Sequence, residues 1–305
     1  MNNAGSQIPF FSIVIPVYNR SGLLQDTVKS IQEQTFLSYE IIIVDDGSTD
    51  GSGDEIDKLY GGASNIMIIH QPNQERGASR NNGFKKAKGE YVIFLDSDDR
   101  LMPVHLEVLY NKIKALNNPD FISTKYDFLR NGKRVRSIIS DSAEGYYDYK
   151  FFLNGNPYGC NVCVRRLNEK LCLFEEDRKY SIKEDWLFFL ENLQGQKVYL
   201  IDQVTLLMVD HDERSMRQND RILVEKTFLS REWILKHVRL NDAEIKQLDA
   251  HVNYFCAIHS YLDFQRKAAF SYLKKAFYNG GIRKKYIVLL AKIIIGRKTI
   301  LKLNP

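Results

Sequence analysis

Four short runs of β-branched and aromatic residues, each separated from the next by a segment of helical spacing, constrain this chain more than any other feature. Phe10 to Val17, Glu40 to Asp45, Asn65 to His70 and Tyr91 to Leu95 are close to continuously apolar, the pattern of strands buried on both faces. Between them Leu23, Leu24, Val28 and Ile31, and later Ala78, Phe84 and Ala87, fall at helical spacing, while Asp50 or Ser52 can cap a short helix ending near Tyr60. The order is βαβαβαβ, and right-handed crossovers turn that order into an open α/β sheet. In such sheets ligands collect beyond the carboxyl ends of the strands.

The pattern then changes. Phe121 to Asp127 reads as a strand, and Asn131-Gly132 between Phe128-Leu129 and Val135 to Ile139 is a two-residue hairpin signal, so the sheet is expected to be mixed. Glu184 to Leu193 reads as a helix, and Lys197 to Asp202 and Thr205 to Val209 as two strands. From Asp220 onward Ile222, Val224, Phe228, Trp233 and Ile234, then Val252, Phe255, Ile258 and Leu262, predict a helical C-terminal extension. A chain that is 44% hydrophobic, with 18 Gly, 7 Pro and 4 Cys in 305 residues, is neither disordered, collagen-like nor a disulfide-stapled miniprotein. Cys160 and Cys163 have zinc-like spacing, but no second Cys/His pair follows at a matching distance.

The predicted strand ends carry the chemistry. The second runs into Asp45-Asp46-Gly47-Ser48-Thr49-Asp50, and the fourth into Asp96-Ser97-Asp98-Asp99. Carboxylates crowded at the end of a buried strand repel one another unless a cation or a donor offsets them. Alternation puts Asp96 and Asp98 on one side, and hard ions such as Mg²⁺ or Mn²⁺ take oxygen ligands together with substrate phosphates, so the pair suits a metal carrying a diphosphate. The bland alternative is that these acids cap a helix or sit in a solvated turn. Context favours the ligand: a basic helix start from Arg76 through Arg80 and the strand end Pro16-Val17-Tyr18-Asn19 converge on the same crevice. Arginine and a helix N-terminus both suit phosphate, and tyrosine offers a face to a base.

Together these segments resemble the family 2 glycosyltransferases. The resemblance is close from Phe11 to about Pro103 and looser to about Met216, through Ser12 to Asn19, Val44 to Asp50, Gly77 to Asn81 and Gly89 to Asp99. It implies the GT-A fold, a Rossmann-like open mixed sheet flanked by helices, and sugar transfer from a nucleoside diphosphate sugar, commonly a uridine one. The acceptor is a hydroxyl of a glycan or lipid-linked substrate, and the anomeric carbon inverts. Carried over, Pro16 and Tyr18 line the base pocket with Val17 and Asn19 beside them. Asp46, next to Asp45, bonds the base, and Arg80 meets phosphate. Asp96, followed by Ser97, faces the ribose, and Asp98, helped by Asp96, binds the Mn²⁺ or Mg²⁺ ion. Tyr180 to Trp186 resembles the family's Glu-Asp motif, which makes Asp185 the general base and Glu184 an acceptor or supporting contact.

His211 resembles a third, degenerate element in which a histidine four residues before a serine closes the donor site or binds the metal; Arg214 and Arg217 are alternatives for the phosphates. The aromatic cluster Tyr146, Tyr147, Tyr149, Phe151 and Phe152 reads as packing ahead of an acceptor lid. Other classes fit less well. A haloacid dehalogenase phosphatase needs a carboxylate at the first strand, a dehydrogenase needs Gly-x-Gly-x-x-Gly there, and a nucleotidyltransferase a Gly/Arg-rich loop; none is present. A non-catalytic sugar-nucleotide-binding protein on the same fold is the remaining alternative, and its expected mark is loss of Asp98 or Asp185.

The expected organisation is a flexible N-terminus over 1–9, a catalytic domain over 10–218 with a nucleotide-sugar half (10–103) and an acceptor half (104–218), and a helical region over 219–305. The overall charge is +5, but residues 264–305 hold 11 Lys/Arg and no Asp/Glu, so the rest is net acidic and nucleic acid is not the inference. Residues 283–302 interleave bases with Ile, Val and Leu, which suits either an anionic membrane surface or a terminal helix packed on the domain. Met1 to Pro9 does not read as a secretory signal, so the expected location is the cytoplasm or the cytoplasmic face of the membrane.

Overall fold

β-Branched side chains lose rotamer freedom in a helix and pack well on a pleated surface, and the runs that open the chain pair accordingly. A computed structural model of the chain describes residues 8–211 and 219–303. Strand β1 (Phe11–Val17) lies parallel to β2 (Tyr39–Asp45), and β2 to β3 (Ile66–His70). Helices α1 (Ser21–Gln32), α2 (Ser52–Tyr60) and α3 (Glu75–Lys86) make the crossovers. β4 (Tyr91–Phe94) joins the opposite side of β1, also in parallel, so the winding reverses between β1 and β4. That reversal opens a crevice at the carboxyl ends of these strands. α3 packs on β1 so closely that a Cβ on Gly83 would stand 2.4 Å from Val14 Cγ1.

The antiparallel portion follows. β5 (Asp99–Leu101), α4 (His105–Ala115), β6 (Phe121–Arg130), β7 (Lys133–Arg136), β8 (Gly145–Tyr147), β9 (Val162–Arg165) and β10 (Val198–Val209) complete the sheet. Among the described residues its order is β3-β2-β1-β4-β9-β6-β10-β5, with β7 on β6 and β8 on β10. The β6–β7 turn uses Asn131 (φ 48°) and Gly132 (φ 73°), the paired positive φ that the hairpin signal demands. Three expectations are corrected. The segments 197–202 and 205–209 form one strand, β10, whose register against β6 shifts between Ile201 and Leu206. The α2 N-cap is Gly51 (φ 89°), with Asp50 Oδ1 accepting from the Ser52 N–H at 2.9 Å. Asp96 to Asp98 lie in a turn, closed by the Asp99 N–H on the Asp96 carbonyl at 3.1 Å, so strand alternation does not place them.

The described residues divide into two compact units. The first takes in the chain to Asp148, Pro157–Arg178 and Gly195–His211, and contains the whole sheet. The second takes in Tyr149–Asn156, Lys179–Gln194 and the helices from 219 on, so two segments within 104–218 belong with the C-terminal helices. Its helices are α5 (Glu184–Asn192), α6 (Asp220–His237), α7 (Asp242–Leu262), α8 (Arg266–Gly280), α9 (Lys284–Ile295) and α10 (Arg297–Leu303). Asn241 and Glu244 form a capping box on α7. Ala257, Tyr261, Ala269, Leu273, Ala276, Tyr286, Leu289 and Ile293 make a buried core across α7, α8 and α9. The aromatic expectation resolves as packing at Phe152, which is fully buried and stacks on Phe189 at 4.5 Å. Residues 1–7, and with them most of the N-terminal segment expected to be flexible, and Arg214 and Arg217 lie outside the described residues.

Candidate functional site

In the first unit the loops after β1, β2 and β4 hold the expected donor residues. Tyr18 is 45% exposed at the end of β1, whereas Val17 is 1% exposed and contributes only its backbone, accepting from the Asp46 N–H at 2.8 Å. Pro16 is half-buried. Asn19 takes a left-handed conformation (φ 53°) that asparagine tolerates, and its Oδ1 accepts from the Thr49 N–H at 2.8 Å while its own N–H donates to Ser48 Oγ at 2.9 Å. Asn19 thus clamps the first loop to the second.

Asp45 and Asp46 are both buried. Asp45 Oδ1 accepts from the Ser48 N–H (3.1 Å), and its Oδ2 meets His70 Nδ1 (3.0 Å). His70 Nε2 meets Asp57 (3.1 Å), and the hydrogen bonds to Asp45 and then Asp57 raise the His70 pKa above the ordinary imidazole value. Asp46 Oδ1 accepts from Gln71 Nε2 (2.7 Å) and from the Gln74 N–H (2.9 Å). Gly47 (φ 73°) is required between loops, because a Cβ there would stand 2.9 Å from the Asn73 nitrogen.

The turn after β4 gathers the acids. Carboxylate oxygens of Asp96, Asp98 and Asp99 lie within 4.8 Å of one another. Such crowding is tolerable because two arginines stand beside it. Arg80 Nη2 donates to Asp96 Oδ1 at 2.7 Å, and Arg20 Nη1 and His211 Nε2 reach Asp98 Oδ2 at 3.1 and 2.7 Å. Asp99 Oδ1 accepts from the Val209 N–H at 3.3 Å, which ties the turn to the end of β10. Ser97 is buried, and its carbonyl accepts from Thr27 Oγ1 at 2.9 Å.

One placement differs from expectation. Arg80 lies in the second turn of α3, not at its start, and is 1% exposed with its guanidinium 5.2 Å over the Phe174 ring, so it acts on the crevice through Asp96. His211 adjoins the acidic group through Asp98. Arg20 and Asp99 were not among the expected site residues. Asp99 stands in the quoted acidic run, and nothing in the sequence marks Arg20.

In the second unit Asp185 and Glu184 occupy the first turn of α5, where the helix dipole favours negative charge. Asp185 is half-buried, with Oδ1 accepting from the Trp186 N–H at 2.7 Å. Glu184 is buried, at 2% exposure. The chain enters this turn through Ile182 at φ 78°, a strained value for a β-branched residue. Lys183, buried with its ammonium 3.9 Å over the Phe255 ring, has a pKa pulled down to about 8 by burial, against the opposing charge of Asp185.

The glycosyl transferase family 2 profile matches residues 12–170. A cholesterol galactosyltransferase of Borreliella burgdorferi is 40% identical over 197 residues, covering 62% of this chain and 55% of that one. The chain spans about half the length of several of the curated relatives it matches. By fold it is similar to Staphylococcus aureus TarS 1-349 in complex with UDP-GlcNAc, at TM-score 0.65, 20% identity and coverage of 96% of this chain and 88% of that one. It is also similar to a mannosyltransferase of Pyrobaculum calidifontis in complex with GDP-Man and Mn²⁺, at TM-score 0.56, 16% identity and coverage of 97% and 84%. With the profile running from β1 through the acidic turn to beyond β9, the chain belongs to glycosyl transferase family 2.

Proposed function

We propose that this protein transfers a sugar from a nucleoside diphosphate sugar, a uridine one by preference, to a hydroxyl of a glycan or lipid-linked acceptor, with inversion at the anomeric carbon. The observation that carries the reading is the Asp96, Asp98 and Asp99 group at the end of β4, in the same unit as Asp46 and the exposed Tyr18. The UDP-GlcNAc of the TarS complex and the GDP-Man and Mn²⁺ of the archaeal one support that donor chemistry. The galactosyl relative supports a hexosyl or N-acetylhexosaminyl donor, and its lipid acceptor supports a role in surface glycolipid or polysaccharide synthesis.

Three clustered carboxylates are hard oxygen donors, so the residues fit Mn²⁺ or Mg²⁺, held by Asp98 with Asp96 and Asp99. A bound ion of that kind would neutralise charge on the departing diphosphate. Tyr18 stacks on the base, Pro16 borders it and Asp46 accepts from its N–H. Asp96, held by Arg80, faces the ribose. Arg20 and His211 orient Asp98. Asp185 accepts the acceptor's hydroxyl proton as that oxygen bonds to the anomeric carbon. The bond from that carbon to the phosphate oxygen breaks, and its electron pair leaves with the nucleoside diphosphate. Glu184 supports the turn from inside.

The test is a thermal-shift series on the purified chain with UDP, GDP and their sugars, with and without Mn²⁺. One nucleotide should stabilise the protein only with metal, by about 2.7 kcal/mol at a hundred times its Kd. Asp98→Ala should abolish that response. A flat response to every nucleotide, or full turnover by Asp98→Ala, overturns the proposal.

A further inference from the structure

α9 is apolar on two faces, and among the described residues one of them is covered and the other exposed. Tyr286, Leu289 and Ile293 are buried against α7 and α8. Around the helix from them, Ile287 (51% exposed), Val288 (47%), Ala291, Ile294 (60%) and Ile295 (51%) form a second stripe at spacings of three and four. Isolated exposed apolar residues need no explanation, but a continuous stripe of branched side chains does. α10 adds Leu301 at 51% exposure, and Ile282 precedes the stripe at 85%.

The charge around the stripe selects what would cover it. Lys284 and Lys292 are exposed on α9, and Lys298 on α10. Residues 264–305 contain 11 Lys/Arg and no Asp/Glu, so a second copy docked on this face would bring its own cations against them. The 12 residues of α9 are too few to span a bilayer, and no helix among the described residues is long and apolar enough to cross a membrane. An apolar stripe bordered by lysines is instead the pattern of a helix lying in the headgroup plane.

We propose that the outer face of α9, continued by α10, is a docking surface for an anionic lipid bilayer, into which Ile287, Val288, Ile294 and Ile295 insert while Lys284, Lys292 and Lys298 meet lipid phosphates. The placement is independent of the donor-site reading, since none of these residues belongs to the acidic turn or to the Asp185 segment.

The test is co-flotation of the full-length chain with vesicles of phosphatidylglycerol and phosphatidylcholine, against vesicles of phosphatidylcholine alone. The protein should float with the anionic vesicles, at least tenfold less with the neutral ones, and lose binding at high salt. Ile287→Asp with Ile294→Asp should cut flotation at least tenfold while leaving the melting temperature and nucleotide response unchanged. Lys284→Gln, Lys292→Gln and Lys298→Gln together should remove the preference for anionic lipid. Protein that stays in the lipid-free fraction with anionic vesicles overturns the proposal. So does a wild-type oligomer that the double aspartate variant converts to monomer, because the stripe is then a protein interface.

Discussion

Asp98 sits where three demands meet. It carries a carboxylate beside two others, it accepts from Arg20 and His211, and in the proposed mechanism it is the one that holds the cation. Asp185 meets a different demand, that of an acid at a helix start with its side chain half-buried. If Asp185 is the base of the proposed mechanism, Asp185→Asn keeps the shape and removes the proton acceptor, so transfer should fall about a hundredfold to ten-thousandfold. Nucleotide binding measured by calorimetry should stay close to wild type. Lys183, next to it, gives a pH signature. A lysine whose folded pKa is lowered to about 8 costs stability wherever it must be charged. That cost is full below pH 8 and fades as pH rises toward the unfolded value of about 10.4. Lys183→Met should therefore be more stable than wild type in urea at pH 7, with the gap narrowing by pH 10. The clustering of Asp96 with Asp98 and the place of Asp185 at a helix start were legible in the sequence, because these residues stand in short runs whose chemistry is local. The burial of Val17 and Glu184 was not, since which side of a loop faces inward is decided by neighbours far along the chain. Arg20 was invisible for the same reason: its partner is 78 residues away.

β1, β2 and β4 were readable because four or more consecutive buried residues leave a clear mark, and β3 because its apolar run survives at the sheet edge, where its side chains are only half-buried and not, as expected, covered on both faces. β5 and β8 are three residues long, too short for any period to show. β10 reads as two strands because Asp202 and Gln203 interrupt it, and the structure puts that polar pair at the register shift, exposed, where the ladder with β6 is already broken. α4 did carry a signal, in Leu106, Leu109 and Ile113, all buried. The approach of α3 to β1 at Gly83 is open to test. With a Cβ at Gly83 only 2.4 Å from Val14 Cγ1 and 3.2 Å from Val44 Cγ2, Gly83→Ala must push α3 off β1. The cost should be about 1–3 kcal/mol, the range for overpacking a well-filled core. A urea titration should show the midpoint falling with an unchanged slope.

The molecule as a whole does not divide where its sequence pattern changes. The C-terminal helices look like an appendage beginning at 219, yet their unit also owns Tyr149–Asn156 and Lys179–Gln194. Trp186 Nε1 donates to the Phe152 carbonyl at 2.7 Å and the Trp186 ring lies edge-on to His251 of α7 at 5.6 Å. A chain ended at residue 218 should therefore expose Phe152, Trp186 and Phe189. It should bind a hydrophobic dye and aggregate on size-exclusion chromatography, whereas a monomer with a cooperative melt would contradict the assignment of these segments. The chain passes between the two units at 148–149, 156–157, 178–179, 194–195 and after 211. For recombination among relatives this means that no single crossover point exchanges the helical unit. A chimaera needs matched joints at every passage, and in descent the segment that carries Glu184 and Asp185 travels with the sheet that surrounds it in the gene.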